Sequence, residues 1–271
     1  MSDRLRQTLC ALDALERSAR MESPLHRTDA RAKLLVTAVF LAAMLSVPLV
    51  RLSELLLFCI FPIVGCALGG LDYGRIFRRS LVVLPLVAFI GVFNLFYDRE
   101  PLFRVGSAVV TAGGVSFLSI VVRGLLSVQA LLVLVGTTGY YRLCRSMQRL
   151  GVPALFTTQL LFVYRYLHVL VEEALAMRQA RDARSFGRTS YPLGVWGTLV
   201  GQLLLRTFER AERIGRAMRA RGFSGRIPAD PFERSAWTAR DTLFLVGWCA
   251  ALVALRVLHP AERFSALIDR F

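Results

Sequence analysis

The chain has little of the chemistry from which catalytic or metal centres are built. It contains only three histidines, and His26, His168 and His259 lie far apart along the sequence. Its five cysteines form no Cys-x-x-Cys pair, which argues against both a zinc site and a disulfide framework. The apolar segments also contain no acid, base or nucleophile constellation of the kind an enzyme needs. We therefore predict no catalytic residue, no metal site and no cofactor in this chain.

Lysine is almost absent, although the chain is strongly basic. Lys33 is the only lysine among 34 basic residues, the formal net charge is +15, and 55% of the residues are hydrophobic. Charge of this kind can indicate nucleic-acid binding, but the apolar runs leave no separate soluble basic domain. The first 33 residues are charged throughout and lack the apolar core of a signal peptide. A basic excess combined with high apolar content indicates a membrane protein whose charges lie in aqueous segments, with lipid and not nucleic acid as its surroundings.

Uncharged runs of membrane-spanning length fill the first half of the chain. Residues 34–50, 55–71 and 80–97 are uncharged runs of 17, 17 and 18 residues. Each is close to the roughly 20 residues that cross a bilayer. Two further runs, residues 105–122 and 124–141, are separated only by Arg123. The number of spans therefore depends on whether these two runs cross separately or together.

The distribution of basic residues decides between four and five spans. Residues 1–33 hold seven basic residues and residues 139–240 hold 17, an excess typical of cytoplasmic segments. Both regions lie on the same side of the membrane only if an even number of spans separates them. We therefore predict four spans, with residues 105–114 as an external loop or short hairpin. The fourth span is then one long helix from about Thr111 to Thr138.

Two apolar segments remain in the second half. Residues 189–205 are predicted to abut the membrane or lie in its interface, because a full span there would place nine arginines outside. Residues 242–255 are the predicted final span. The fold class is an all-α integral membrane protein with about five transmembrane helices. The predicted domains are a cytoplasmic amphipathic segment (1–33), four spans (34–138), a cytoplasmic coupling domain of two long crossed helices plus a short one (139–240), and a final span with an external C-terminus (241–271).

Arg123 is a charged residue in or near the predicted fourth span. Such an arginine is costly in a membrane and usually faces protein, water or the interface. Two interpretations stay open. Its side chain either reaches the outer surface or contacts a partner subunit.

Two long amphipathic helices are predicted between the fourth and fifth spans. Apolar residues recur three or four positions apart from Leu160 to Met177, and again from Leu204 to Met218, so each series lies on one helix face. Small residues on such a face allow two helix backbones to approach closely. The predicted crossing residues are Ala174, Met177, Ala211, Gly215 and Met218.

Each long helix ends in an arginine flanked by small residues. The first motif is Ala183-Arg184-Ser185 and the second is Ala220-Arg221-Gly222. Arginine in a last turn favours the negative end of the helix dipole, and Gly222 suits the left-handed position after a helix. A guanidinium on a narrow helix tip can pair bidentately with the carboxylates or carbonyls of a partner. The motifs are therefore either solvated caps or, as we favour, docking points for the two subunits of a two-fold partner.

These motifs resemble those of the transmembrane T component of energy-coupling factor (ECF) transporters, ABC-type importers of vitamins and transition metals. Residues 23–34 are similar to the family's segment before the first span, with Ala30 where the family has proline. Residues 150–153, Leu-Gly-Val-Pro, are similar to the start of a coupling helix. The Met-Arg-Ala-Arg-Gly-Phe-Ser-Gly-Arg stretch at 218–226 looks most like the cobalt-transport subtype, CbiQ.

The resemblance implies a subunit that transmits energy and is not itself an enzyme. Two ABC ATPase subunits would dock at the arginine motifs and hydrolyse ATP. A membrane S component of the cobalt-binding CbiM type, with or without a small CbiN-type subunit, would bind the substrate, and Arg123 is a candidate contact for it. The implied location is a bacterial inner membrane, with the N-terminus and coupling domain in the cytoplasm. A nickel or vitamin importer shares most of these features; a proton-coupled carrier or a membrane enzyme is less favoured.

Overall fold

The structure consists of helices and one short hairpin. The computed structural model describes residues 23, 25–48, 52–97, 101–105, 108–185, 193–225 and 237–257. The protein is an all-α membrane protein in its architecture, as predicted. In chain order the elements are α1 (Ala30–Leu45), α2 (Leu52–Leu57), α3 (Ile60–Gly69), α4 (Tyr73–Ser80), α5 (Leu84–Tyr97), β1 (Pro101–Val105), β2 (Ala108–Thr111), α6 (Ala112–Thr138), α7 (Tyr140–Arg149), α8 (Ala154–Arg184), α9 (Leu193–Ala220) and α10 (Ala239–Val257).

Contacts divide the chain into two compact units. One unit contains Arg17–Gly139 and Ser235–Phe271, and the other contains Met1–Glu16 and Tyr140–Arg234. Residues 1–22 and 258–271 lie outside the described residues, and with them most of the predicted N-terminal segment and the predicted external C-terminus. The described part of the first unit is α1–α6 with the hairpin, and α10; that of the second is α7–α9.

The core of the first unit is built around α1. Val36, Phe40 and Met44 recur at four-residue spacing, so they share one helix face, and all three are buried. The ring of Phe40 stacks on that of Phe61, with centroids 4.3 Å apart. Leu126 of α6 belongs to the same buried cluster. One apolar stripe on α1 therefore holds α3 and α6 together.

Two glycines allow neighbouring helices to pack closely on α6. A β-carbon placed on Gly124 would lie 2.8 Å from Cγ2 of Val87 on α5. A β-carbon placed on Gly69 would lie 2.8 Å from Cγ2 of Thr137. Both distances are shorter than van der Waals contact. The absence of a side chain at these positions therefore permits the close approach, as in other membrane helix pairs.

The long helix predicted from about Thr111 to Thr138 is confirmed as α6. Before it, β1 and β2 form an antiparallel pair in which Val105 is opposite Ala108. This is the short hairpin expected near residues 105–114, displaced by a few residues toward the N-terminus. The single arginine that divides the two apolar runs does not interrupt the helix.

The helices that are long and apolar enough to cross a membrane match the predicted spans only in part. The helices long and apolar enough to cross a membrane, among the described residues, are Leu52–Gly69, Tyr73–Asn94, Gly113–Thr138 and Ala154–Arg184. The first three overlap most of the predicted second, third and fourth spans.

The predicted first and last spans do not meet the same criterion. Helix α1 has 16 residues, or about 24 Å at 1.5 Å per residue, which is shorter than a hydrocarbon core of about 30 Å. Helix α10 carries Arg240, Asp241 and Arg256 within its 19 residues. Conversely, α8, which we predicted as a cytoplasmic helix, is mostly apolar over residues 154–171, where Arg165 is its one charged residue, and is rich in charged residues from Glu172 onward. Composition alone therefore does not place the whole of α8 in either the membrane or the aqueous phase.

The second unit begins with the short helix α7 and a sharp turn into α8. Gly151 has a φ of +102°, and Pro153 precedes the first residue of α8. A long helix therefore starts directly after the Leu-Gly-Val-Pro sequence, as the resemblance implied. The ring of Tyr140 stacks on that of Tyr164, with centroids 4.5 Å apart, and the Tyr140 hydroxyl donates to the Leu160 carbonyl at 3.3 Å. These contacts hold α7 against α8.

Candidate functional site

Helices α8 and α9 form an antiparallel pair. Contacts near the start of α8 involve residues just after α9, and contacts near the end of α8 involve the start of α9. Four contacts define this order: the Thr158 hydroxyl donates to the Gly225 carbonyl (3.3 Å), the Phe162 and Phe223 rings are 6.3 Å apart, Arg206 pairs with Glu173 (2.6 Å), and Arg181 donates to the Val195 carbonyl (2.9 Å). The C-terminal ends of the two helices, which carry the arginine motifs, therefore lie at opposite ends of the pair.

The first arginine motif ends α8 without a left-handed residue. Ser185 has a φ of −87°, and both its backbone N–H and its hydroxyl donate to the Asp182 carbonyl, at 3.2 and 2.7 Å. The side chains of Ala183 and Arg184 are exposed. Ser185 thus closes the last turn, and the Arg184 side chain beside it is exposed. Residues 186–192, which follow this motif, lie outside the described residues.

The second motif ends α9 in a different backbone geometry. Gly222 has a φ of +75°, the left-handed conformation predicted for it. The N–H of Phe223 donates to the Met218 carbonyl and the N–H of Gly222 to the Arg219 carbonyl, both at 3.0 Å. These two bonds are a Schellman motif, which satisfies carbonyls at a helix end. Ala220 and Arg221 are exposed at this tip.

The two motif arginines are alike in exposure and far apart. Within the described residues, neither Arg184 nor Arg221 makes a side-chain hydrogen bond or ion pair. Because the motifs end antiparallel helices, a rise of 1.5 Å per residue separates them by roughly 30–40 Å along the pair. The geometry therefore presents two separate guanidinium groups, one at each end.

The close crossing predicted at Ala211 and Gly215 is not where the helices meet. A β-carbon on Gly215 would have no other atom within 4 Å, and Ala211 is exposed. Of the other predicted crossing residues, Ala174, Met177 and Met218 are half-buried. Arginine side chains bridge the helices instead, from Arg206 to Glu173 and from Arg181 to the Val195 carbonyl. Small residues permit a close approach of backbones but do not by themselves produce it.

Arg123 on α6 is bound within the chain. Its guanidinium donates to the carbonyls of Val47 and, at 3.5 Å, Leu45. Arg256 of α10 donates to the Ser46 carbonyl at 3.2 Å. The carbonyls at the end of α1 are the negative end of a helix dipole, which cations stabilise. Two arginines from different helices therefore cap α1.

Asp241 is a buried residue that the sequence reading missed. Its carboxylate, in a side chain only 3% exposed, accepts hydrogen bonds from the N–H groups of Asp29 and Thr238, both at 2.8 Å. Asp29 in turn caps α1 through the N–H of Arg31, whose guanidinium lies 5.4 Å from the Trp237 ring centre. The Thr-x-x-Asp spacing at the start of α10 is a capping signal that could have identified Asp241. The turn before α1 thus forms with Ala30 in place of the family's proline.

Candidate metal ligands are dispersed in the part of the chain that the structure describes. It contains no group of three or more histidine, cysteine or acidic side chains placed to hold a metal ion. Cys144 on α7 is 1% exposed, and burial raises the pKa of its thiol. The thiolate is the form that reacts and binds metals, so this cysteine is held in its inert form.

Residues 21–230, which include both arginine motifs, match the sequence model of CbiQ, described as a cobalt transport protein. The chain belongs to the CbiQ family. The energy-coupling factor transporter transmembrane protein EcfT of Bacillus subtilis is 25% identical over 83% of this chain and 89% of its own length. Nickel permease LarQ of Lactiplantibacillus plantarum is 31% identical over 40% of this chain and 39% of its own length. Cobalt transport protein CbiQ of Salmonella typhimurium is 34% identical over 34% of this chain and 41% of its own length.

The matched region establishes the coarse role of this CbiQ family member. It is a membrane T component of an ECF transporter, as the motif resemblance implied. The relatives are membrane components of transporters, which agrees with a non-enzymatic role. The family match covers α1 to α9 and ends before α10 begins.

Proposed function

We propose that the chain couples ATP hydrolysis in two ABC ATPase subunits to substrate uptake by a membrane S component. Arg184 and Arg221 are the docking points, one for each ATPase subunit, with Ala183, Ser185, Ala220 and Gly222 keeping the guanidinium groups accessible. The α8–α9 pair transmits nucleotide-driven closure of the ATPases to the S component. ATP hydrolysis and substrate binding belong to those partners.

The exposure of both motif arginines at opposite ends of one helix pair carries this proposal. An arginine with a structural role within the chain gains from pairing with main-chain carbonyls, as Arg123 of α6 does at the end of α1. Arg184 and Arg221 instead keep their planar donor groups available for a partner's carboxylates or carbonyls. A separation of roughly 30–40 Å suits two subunits better than a single contact.

Cobalt is the proposed substrate, delivered by an S component of the CbiM type, with or without a CbiN-type subunit. The family match and the CbiQ relative support this assignment. Nickel is the second candidate, because a nickel permease is also among the relatives. Uptake of radioactive cobalt or nickel by cells that express the complete transporter would distinguish the two metals.

The proposed location is a bacterial inner membrane with the N-terminus and residues 139–240 in the cytoplasm. The basic excess of both regions supports this orientation. The ATP-bound partners would reach α8 and α9 only from that side. The outer surface would then carry the β1–β2 hairpin.

Alanine substitutions of the motif arginines test the docking proposal. Arg184→Ala and Arg221→Ala should each lower ATPase co-purification and substrate uptake severalfold, and the double variant should nearly abolish uptake. Removing one partner of a buried charge pair costs about 2–5 kcal/mol, whereas losing an exposed cap costs under about 1 kcal/mol. Arg→Lys should restore only part of the activity, because an ammonium group does not reproduce the bidentate fork.

Arg188→Ala is the control, since Arg188 follows the first motif without belonging to it. Membrane levels of each variant should be measured alongside uptake. If all three alanine variants assemble and transport nearly as the wild type does, the motif arginines are solvated caps and the docking proposal is wrong.

A further inference from the structure

A polar cavity of about 200 Å³ lies between α8 and α9. A volume of about 10–15 Å³ is enough to hold one water molecule, so this cavity has room for a larger group. Its position is distinct from the exposed tips that carry the arginine motifs. Its lining includes Leu170 and Glu173 on α8, and Leu203, Arg206, Glu209, Arg210 and Arg213 on α9.

The cavity carries more positive than negative charge. Arg206, Arg210 and Arg213 are four and three residues apart, so their side chains share one face of α9. Two carboxylates also line the cavity: Glu173 pairs with Arg206 at 2.6 Å, and Glu209 lies 3.8 Å from Arg213. No carboxylate in the described ranges pairs with the half-buried Arg210. Three arginines against two carboxylates leave a formal charge of +1.

The cavity lies where α9 changes from apolar to charged. Residues 193–205 of α9 carry no charge, and its charged residues begin at Arg206. On α9, four large apolar side chains are more than half exposed within two turns of the arginines: Val200, Leu204, Leu205 and Phe208. These apolar side chains lie on the face of α9 opposite Arg206, Arg210 and Arg213. A basic face opposite an apolar face is typical of a helix that lies at a membrane surface.

We propose that this cavity binds the phosphate of an anionic phospholipid, with the Arg210 guanidinium as its central contact. A guanidinium fork matches the geometry of phosphate oxygens, and Arg206 and Arg213 flank it on the same helix face. The anionic headgroup offsets the excess charge of the cavity. Its acyl chains extend along Leu170 and Leu203, the apolar side chains that line the cavity. This site goes beyond the coupling role and does not depend on ATPase docking at Arg184 and Arg221.

Competitive lipid binding to the full chain tests the site. The detergent-purified protein is mixed with equal amounts of phosphatidylglycerol and phosphatidylcholine, and the bound lipid is identified by native mass spectrometry. The wild type should retain phosphatidylglycerol in about five- to tenfold excess. Arg210→Gln should remove most of this preference, and Arg210→Lys should retain part of it because the charge remains. Arg216 is an exposed arginine of α9 outside the cavity, so Arg216→Gln should leave the phosphatidylglycerol preference unchanged.

A second variant changes the preference in the opposite direction. Glu173→Gln removes a carboxylate from the cavity and frees Arg206, so it should increase the phosphatidylglycerol preference about two- to threefold. If circular dichroism shows that Arg210→Gln lowers the helicity, the loss of preference in that variant could come from unfolding. An increase in Glu173→Gln could not, so this second variant still tests the site. An unchanged or reduced preference in Glu173→Gln would overturn the proposal.

Three further outcomes would also overturn it. A wild type that binds both lipids equally has no site for an anionic headgroup. An equal loss in Arg216→Gln and Arg210→Gln would mean general electrostatic attraction, not binding in the cavity. If inorganic phosphate at the lipid's concentration displaces phosphatidylglycerol, the site recognises the free anion and not the lipid.

Discussion

The ammonium group of Lys33 donates a hydrogen bond to the main-chain oxygen of Thr137, 2.9 Å away. Lys33 is the only lysine of the chain and is 4% exposed. Thr137 lies in the last turn of α6, where carbonyls lack partners within the helix and carry partial negative charge. One buried amine therefore joins the first turn of α1 to the end of α6.

The first prediction is that Lys33 resists amine acylation in the folded protein. A buried, hydrogen-bonded ammonium is inaccessible to the reagent and must lose its proton before it reacts. We expect acylation of Lys33 at least about tenfold slower in the folded chain than in the denatured chain, as measured by mass spectrometry of the peptide that contains it. A synthetic peptide of residues 29–37 is the control. Equal rates in folded and denatured chain would contradict the buried contact.

The second prediction concerns the two arginines that cap α1. Arg123→Leu and Arg256→Leu should each lower the midpoint of thermal unfolding, because carbonyls of Val47 and Ser46 lose charged donors. Hydrogen bonds to charged groups contribute about 1.5–3 kcal/mol, and the more buried Arg123 should matter more. Arg78→Leu, at an exposed site on α4, is the control. A midpoint that stays at the wild-type value in both variants would exclude this capping role.

The third prediction compares two glycines. Gly124→Leu should destabilise the chain by about 1–3 kcal/mol, because its β-carbon would overlap Val87. Gly215→Leu meets open space and should change stability by less than about 1 kcal/mol, with a small gain in helix propensity. Thermal unfolding in the same detergent measures both. Comparable destabilisation by the two variants would show a close contact at Gly215 after all.

The fourth prediction is that Cys144 reacts slowly with thiol reagents. Burial raises the pKa of its thiol, so its thiolate fraction at neutral pH is lower than that of an exposed cysteine. Reaction should accelerate as pH rises above the ordinary cysteine pKa of about 8.5 and when the chain is denatured. Alkylation followed by peptide mass spectrometry measures both effects. Rapid modification of the folded chain at pH 7 would show that Cys144 is accessible.

The fifth prediction is topological. In a cysteine-free variant of the chain, Arg188→Cys should be protected from an impermeant maleimide applied to intact cells, because residues 139–240 are proposed to be cytoplasmic. Gly106→Cys, in the proposed external hairpin, should be labelled. Labelling of residue 188 from outside would overturn the orientation inferred from the basic residues.

Local patterns in the sequence determined most of the helices and the two arginine motifs. The apolar run from residue 111 to 138 predicted α6, and the Leu-Gly-Val-Pro turn predicted the start of α8. The left-handed Gly222 followed from its place after the last turn of α9. These features depend on neighbouring residues, so periodicity, uncharged length and capping chemistry are sufficient to locate them.

Only the tertiary structure decided which distant residues meet. Arg123 could have faced a partner, but it binds the end of α1. Small residues indicated a crossing at Gly215, whereas the close approach occurs at Gly124 and α8 and α9 are joined by long arginine side chains. Asp241 binds the N–H of Asp29 across 212 residues of sequence. Helical periodicity states which side chains share a face, but the partner of that face is set by the packing of the whole chain.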